Sequence, residues 1–173
     1  RGPQTSDGPL TVDLPEPLDH ALLQRWIWVE DARGQRVEGV STTRGEIRGI
    51  LHTCATAPGA AISVGGAMGG FEGPAHDIYG RLCDRLRPSM TGLRIHYRQP
   101  GEFCERVLDV LAGVSFLRGV GAGDIALVGH SFGGAVVIKA GELAAQVTGV
   151  AALSAPKASL SPSCPTWRPI RSP

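Results

Sequence analysis

Apolar and polar positions change period several times along the chain, and each change marks a new element. The first twenty or so residues hold no period, because Pro3, Pro9, Pro15 and Pro17 break any long element. Trp26 to Glu30 predicts a short strand, Arg33-Gly34 a turn, and Val37–Thr43 and Ile47–Cys54 two further strands around Gly45. Together these read as the antiparallel opening of a sheet. Ala61-Ile62-Ser63-Val64 is a short apolar strand ended by Gly65-Gly66. Pro74 then suits a helix start, and Ala75, Ile78, Tyr79, Leu82 and Leu86 recur behind it at helical spacing. Leu93–Tyr97 alternates like a strand. Phe103, Val107, Leu111, Val114 and Leu117 mark one face of a second helix. Ile125–Val128 is a continuous apolar run, as in a parallel strand covered on both faces. Phe132 to Ala145 predicts a third helix, and Val147–Leu153 a last strand.

Strand and helix thus alternate from about residue 61 to 153, which predicts an α/β fold with a mostly parallel sheet and flanking helices. The tail differs. Residues 156–173 contain five prolines, so they are expected to be irregular and poorly ordered. The organisation read from the sequence is an irregular segment over 1–20, a partial α/β domain over 21–155 and a Pro-rich disordered tail over 156–173.

Composition narrows the picture slightly. With 173 residues, 42% hydrophobic and 19% charged, the chain suits one soluble globular domain. A net charge of +1 gives no reason to expect nucleic acid or an anionic membrane as partner. No apolar run reaches transmembrane length. The N-terminus Arg1-Gly2-Pro3-Gln4 lacks both an apolar signal region and an initiating Met, so a fragment or processed chain is expected, with a cytoplasmic setting as default. Cys54, Cys83, Cys104 and Cys164 show no CxxC spacing and read as reduced, inert thiols.

Candidate chemistry is concentrated at Gly129-His130-Ser131-Phe132-Gly133, a G-x-S-x-G pattern that follows a predicted strand and opens a predicted helix. A sharp strand-to-helix turn strains the serine backbone and presents its hydroxyl to a cleft. The flanking glycines and Gly134 let backbone segments approach closely. His130, adjacent to Ser131, is expected to point elsewhere. The other notable run is Gly65-Gly66-Ala67-Met68-Gly69-Gly70 after the strand 61–64. It does not read as a dinucleotide loop, because no acidic residue closes a second strand at the required distance.

The stretch from Val64 to Leu153 resembles the α/β-hydrolase superfamily. It is most similar to the dienelactone-hydrolase and acyl-CoA-thioesterase-like branches. The matching pieces are Val64-Gly65-Gly66 with Gly69-Gly70-Phe71, Tyr97-Arg98, Asp109-Val110, and Leu127 to Gly134. The resemblance implies hydrolysis of esters or thioesters through an acyl-serine intermediate, without metal or organic cofactor. It implies Ser131 as nucleophile, and the N–H groups of Phe132 and of Ala67 (or Met68) as oxyanion donors.

The superfamily's triad runs Ser, then Asp or Glu, then His. The histidines are His20, His52, His76, His96 and His130, and none follows Ser131; Glu142 is the only acid downstream. Glu142 reads as a solvated helix residue, Asp77 and Asp109 as helix-face contacts, and His76 as a remote candidate base. The expectation is a hydrolase domain lacking its last strands and helices, with an uncovered sheet edge and no activity in this form. The alternative is a non-catalytic remnant or binding module that keeps the first half of the fold.

Overall fold

The structure, a computed structural model, describes residues 11–12, 27–30, 36–42, 45–54, 58–99 and 101–156, with side chains from residue 45 onward. The expectations for the tail from residue 157, for His20 and Cys164, and for most of residues 1–20 lie outside the described residues. In chain order the elements are β1 (Thr11–Val12), β2 (Ile27–Glu30), β3 (Arg36–Thr42), β4 (Gly45–His52), β5 (Gly59–Val64), α1 (Pro74–Leu86), β6 (Thr91–His96), α2 (Phe103–Gly119), β7 (Asp124–His130), α3 (Phe132–Leu143) and β8 (Val147–Leu153).

The strands form a single sheet in the order β1-β3-β4-β6-β5-β7-β8, with β2 also paired to β3. β4 pairs antiparallel with both β3 and β6, while β6, β5, β7 and β8 run parallel. The antiparallel opening and parallel continuation match the periods in the sequence. One difference is the two-residue β1, which pairs parallel to β3 inside the stretch read as irregular.

The pleat of β6 distributes the layers. Leu93 and Ile95 face α2: a Cβ on Gly113 of α2 would meet both, together with Ile62 of β5. Gly92 and Arg94 face α1, through Cys83 and Asp77 respectively. Helices α2 and α3 share the first face and pack on each other around Val107, Val110, Leu117, Val136 and Val137.

β7 departs from the expected continuous burial. Ile125 and Leu127 are fully buried, but Ala126 and Val128, which alternate with them, are only half-buried. The reason is placement: α1 sits over β6 and leaves the second face of β7 thinly covered. β8 is the outermost described strand on that side, and Val150 and Leu153 are 43% and 42% exposed.

The order of connections locates a crevice. From β5 the chain passes through α1 to β6 on one side, and from β7 it passes through α3 to β8 on the other. The two loops leave the carboxyl ends of neighbouring strands in opposite directions, and open α/β sheets place their ligands at such a switch point. Close approach here depends on missing side chains. A Cβ on Gly133 would lie 2.2 Å from the Gly65 carbonyl oxygen and 2.8 Å from that of Val64.

Gly133→Ala should therefore destabilise the fold by at least about 3 kcal/mol, the upper end of overpacking costs, since its obstacle is backbone. Gly149→Ala in β8, where a Cβ meets nothing within 4 Å, should stay within about 0.5 kcal/mol. Urea unfolding of the two variants beside the parent checks both.

Candidate functional site

Ser131 occupies the single residue between β7 and α3, with φ 54° and ψ −123°. That is a left-handed φ for a residue with a Cβ, a conformation costing on the order of 1–3 kcal/mol. Its surroundings hold it there. The Ser131 N–H donates to the Leu153 carbonyl at the end of β8, 2.8 Å away, and its own carbonyl accepts from Gly134 N–H at 2.9 Å. A Cβ on Gly129 would strike the Gly133 carbonyl at 2.2 Å, so the turn closes only with glycine there. The Ser131 hydroxyl makes no hydrogen bond among the described residues.

The loop after β5 runs beside this turn, because Val64 is in register with Gly129. A Cβ on Gly66 would stand 3.8 Å from the Ser131 Cβ. Gly66, Ala67 and Ser131 line one open cleft of about 690 Å³, whose walls include Met68, Phe71, Ile50 and Arg94. Contrary to expectation, His130 also lines it. Its Nδ1 lies 4.0 Å from where a Cβ on Gly66 would stand, but it makes no hydrogen bond to Ser131.

Four consecutive carbonyls of the loop are held by side chains. The Tyr79 hydroxyl donates to the Val64 carbonyl at 2.8 Å, and the Tyr97 hydroxyl to that of Gly65 at 3.4 Å. Arg106 Nη1 donates to the Gly66 carbonyl at 2.8 Å, and Nη2 to that of Ala67. Burial pushes the Tyr79 phenol up to about 12, partly opposed by a backbone hydrogen bond from His130. Burial also raises Tyr97, against the nearby Arg106 charge. Both phenols therefore stay protonated and able to donate.

Arg106 is fully buried between two rings, its guanidinium carbon 4.5 Å from the Tyr97 centroid and 4.6 Å from that of Phe132. Phe132 packs edge-on against Phe103 at 5.7 Å. The N–H groups of Ala67, Met68 and Phe132 have no acceptor among the described residues. For Phe132 this follows from its place in the first turn of α3.

Behind Arg106 lies a buried charge cluster. Arg98 donates to Asp109 through its backbone N–H at 3.0 Å and its Nε at 2.5 Å, and to Glu105 at 3.1 Å. Asp109 is thus a buried ion-pair partner, which sharpens its reading as a helix-face contact. Burial pushes its carboxyl up to about 6, and the Arg98 hydrogen bonds and charge oppose the shift.

The remaining candidates lie apart from Ser131. Ala75, His76 and Asp77 have φ of 55°, 54° and 65°, so the stretch read as one helix from Pro74 becomes right-handed only at Ile78. Asp77 accepts the Gly80 N–H at 3.0 Å, capping the right-handed part of the helix, and pairs with Arg94 at 3.1 Å. His76 is left exposed. His96 Nδ1 lies 3.0 Å from the Tyr97 carbonyl, a backbone contact. Glu142 pairs with Lys139 at 2.9 Å on the surface, as expected. Cys54 and Cys83 are not in disulfides, but Cys104 is disulfide-bonded, which corrects the reading of four reduced cysteines.

Arg106, Tyr79 and Tyr97 were not singled out for the site by sequence reasoning. The signal for Arg106 was available: it stands three residues after Phe103 and one before Val107, on the apolar stripe of α2. An arginine there is a buried charge in search of partners.

Two predictions come from the charge cluster. Arg98→Met leaves the Asp109 carboxylate buried and unpaired and should cost about 3–5 kcal/mol of stability. The second concerns pH. Asp109 has an ordinary value of 3.8 and is raised to about 6 in the fold. Between those values the folded chain keeps a proton that the unfolded chain has released, so this group's contribution falls as pH rises through the window. Asp109→Asn should remove that downward slope in unfolding free energy between pH 4 and 6.

Comparison with known proteins places this geometry. No family profile matches the chain, and no curated protein sequence does. Solved structures do. Est1E from Butyrivibrio proteoclasticus is 18% identical with a TM-score of 0.52, over 75% of this chain and 51% of its own. An esterase from Pyrococcus furiosus is 17% identical with a TM-score of 0.51, over 90% of this chain and 59% of its own. The chain therefore spans between half and three-fifths of the length of these two neighbours. The sheet order, the switch-point crevice and these likenesses agree: the chain has the fold of the α/β-hydrolase superfamily.

Proposed function

We propose that Ser131 is the nucleophile of a serine hydrolase that cleaves small ester or thioester bonds through an acyl-serine intermediate. The observation that carries this is the left-handed Ser131 at the mouth of β7, free at its hydroxyl and flanked by unengaged backbone N–H groups. In the reaction Ser131 Oγ bonds to the acyl carbon and loses its proton. The carbonyl oxygen becomes an oxyanion, received by the N–H groups of Phe132 and of Ala67 or Met68. Collapse expels the alcohol or thiol, which leaves protonated, and water later releases the acid. No cofactor enters these steps.

Proton transfer is the part that the described residues do not equip. No imidazole is hydrogen-bonded to Ser131 Oγ among them, His76 is exposed, and its neighbour Asp77 is engaged by Arg94 and Gly80. Without a base the hydroxyl stays protonated and is a weak nucleophile. This favours a second reading of the 173-residue polypeptide as non-catalytic, a remnant or binding module with the same fold.

Turnover of p-nitrophenyl acetate by this polypeptide should sit near background, and Ser131→Ala and His76→Ala should match it. Robust turnover lost in Ser131→Ala would reveal a base and overturn the expectation. The nucleophile reading is checked separately with a fluorophosphonate probe. Slow labelling confined to Ser131 supports it, while equal labelling of Ser131→Ala favours the non-catalytic module.

A further inference from the structure

We propose that Arg106 is a positioning residue whose guanidinium aims the N–H groups of Ala67 and Met68 at the oxyanion position beside Ser131. This rests on the nucleophile reading above and adds to it the device that sets the donors.

The geometry is that of a clamp on two peptide planes. Arg106 reaches the carbonyls of Gly66 and Ala67 with its two terminal nitrogens. The described chain contains no cis peptide bond. In a trans peptide the C=O and the following N–H point in opposite directions. Holding the Gly66 carbonyl against Arg106 thus turns the Ala67 N–H away from it, and holding the Ala67 carbonyl does the same for Met68. Gly66, Ala67 and Met68 line the cleft with Ser131, whereas Arg106 does not. The side away from the guanidinium is the cleft side.

Two further observations support a dedicated role. Arg106 is fully buried, and its Nε has no hydrogen-bond partner. A buried polar atom left unpaired is costly, so the guanidinium is placed for its two carbonyls rather than for the best satisfaction of its own donors. Its rings also tie both donor segments together. Phe132, whose N–H is the other donor, lies 4.6 Å from the guanidinium carbon. One cation therefore fixes the loop peptides and packs against the residue after Ser131. A lysine could not do both, because it lacks the planar fork that meets two acceptors at once and stacks between rings.

Phenylboronic acid tests this without needing turnover. The Ser131 hydroxyl adds to boron to give a tetrahedral boronate anion and releases one proton to solvent. The anion needs the same N–H donors, and its affinity should rise with pH. Binding is read by titration in the parent, Ser131→Ala, Arg106→Lys and Arg106→Met, with urea unfolding of each. Benzene-sized neutral binding is read in parallel with benzyl alcohol. Arg106→Met should weaken the boronate by about tenfold or more, less than the roughly hundred- to thousandfold cost of deleting an oxyanion donor outright, while benzyl alcohol is unchanged. Arg106→Lys should recover only part of that loss, and carries the test if Arg106→Met does not fold. Parent-like boronate affinity in folded Arg106 variants, with binding still lost in Ser131→Ala, overturns the proposal and leaves the nucleophile standing. Boronate binding that is absent from the parent, or survives in Ser131→Ala, overturns the nucleophile reading and the proposal with it.

Discussion

The carbonyls of Val64, Gly65, Gly66 and Ala67 are drawn to one side by two phenols and one guanidinium, and the site depends on that traction. A glycine-rich loop has many conformations, and left alone it would satisfy its N–H groups internally or with water. Hydrogen bonds from buried side chains remove that freedom. They hold the acceptor sides of these peptides, which on the reading proposed above turns the Ala67 and Met68 N–H groups toward the cleft. Because the holders come from α1, the end of β6 and α2, the loop geometry reports the packing of the whole described domain.

The holders have to be stable themselves, and this explains the charge behind them. A buried arginine costs several kcal/mol unless its field is balanced. Asp109 lies one turn along α2 from Arg106, and Glu105 sits beside it, with Arg98 bridging the two acids. The cluster carries two positive and two negative groups. Its net contribution to stability need not be large. Its effect is to make one arrangement of α2 against the end of β6 far better than its neighbours, and α2 delivers Arg106.

What the sequence revealed follows from the range of each cause. Periodicity is local, so all three helices and the strands from β5 to β8 were legible. So was the turn at Ser131, because a strand, two glycines and a helix must meet there in a row. Asp77 shows where local reading stopped. Its carboxylate is taken by Arg94, seventeen residues on in another element, at a stretch where the right-handed part of α1 starts only at Ile78. Arg106 was hidden for the same reason, since its acceptors are forty and thirty-nine residues upstream. Disulfide pairing of Cys104 is likewise a property of tertiary distance, which spacing does not encode.

The arrangement separates two components of catalysis that are often discussed as one. On the proposed reading, donors aimed at a future oxyanion are a property of backbone and packing, supplied within the described sheet, helices and loops. Proton transfer needs a titrating side chain within hydrogen-bond reach of Ser131 Oγ, and the described residues place none there. The strain at Ser131 and the buried charge at Arg106 both carry a free-energy cost. Neither is needed to close a sheet: a relaxed turn and an apolar side chain would do so with less strain and no desolvation. Their joint presence at one crevice is what the proposed electrostatic preorganisation toward an anion would require, and packing alone would not.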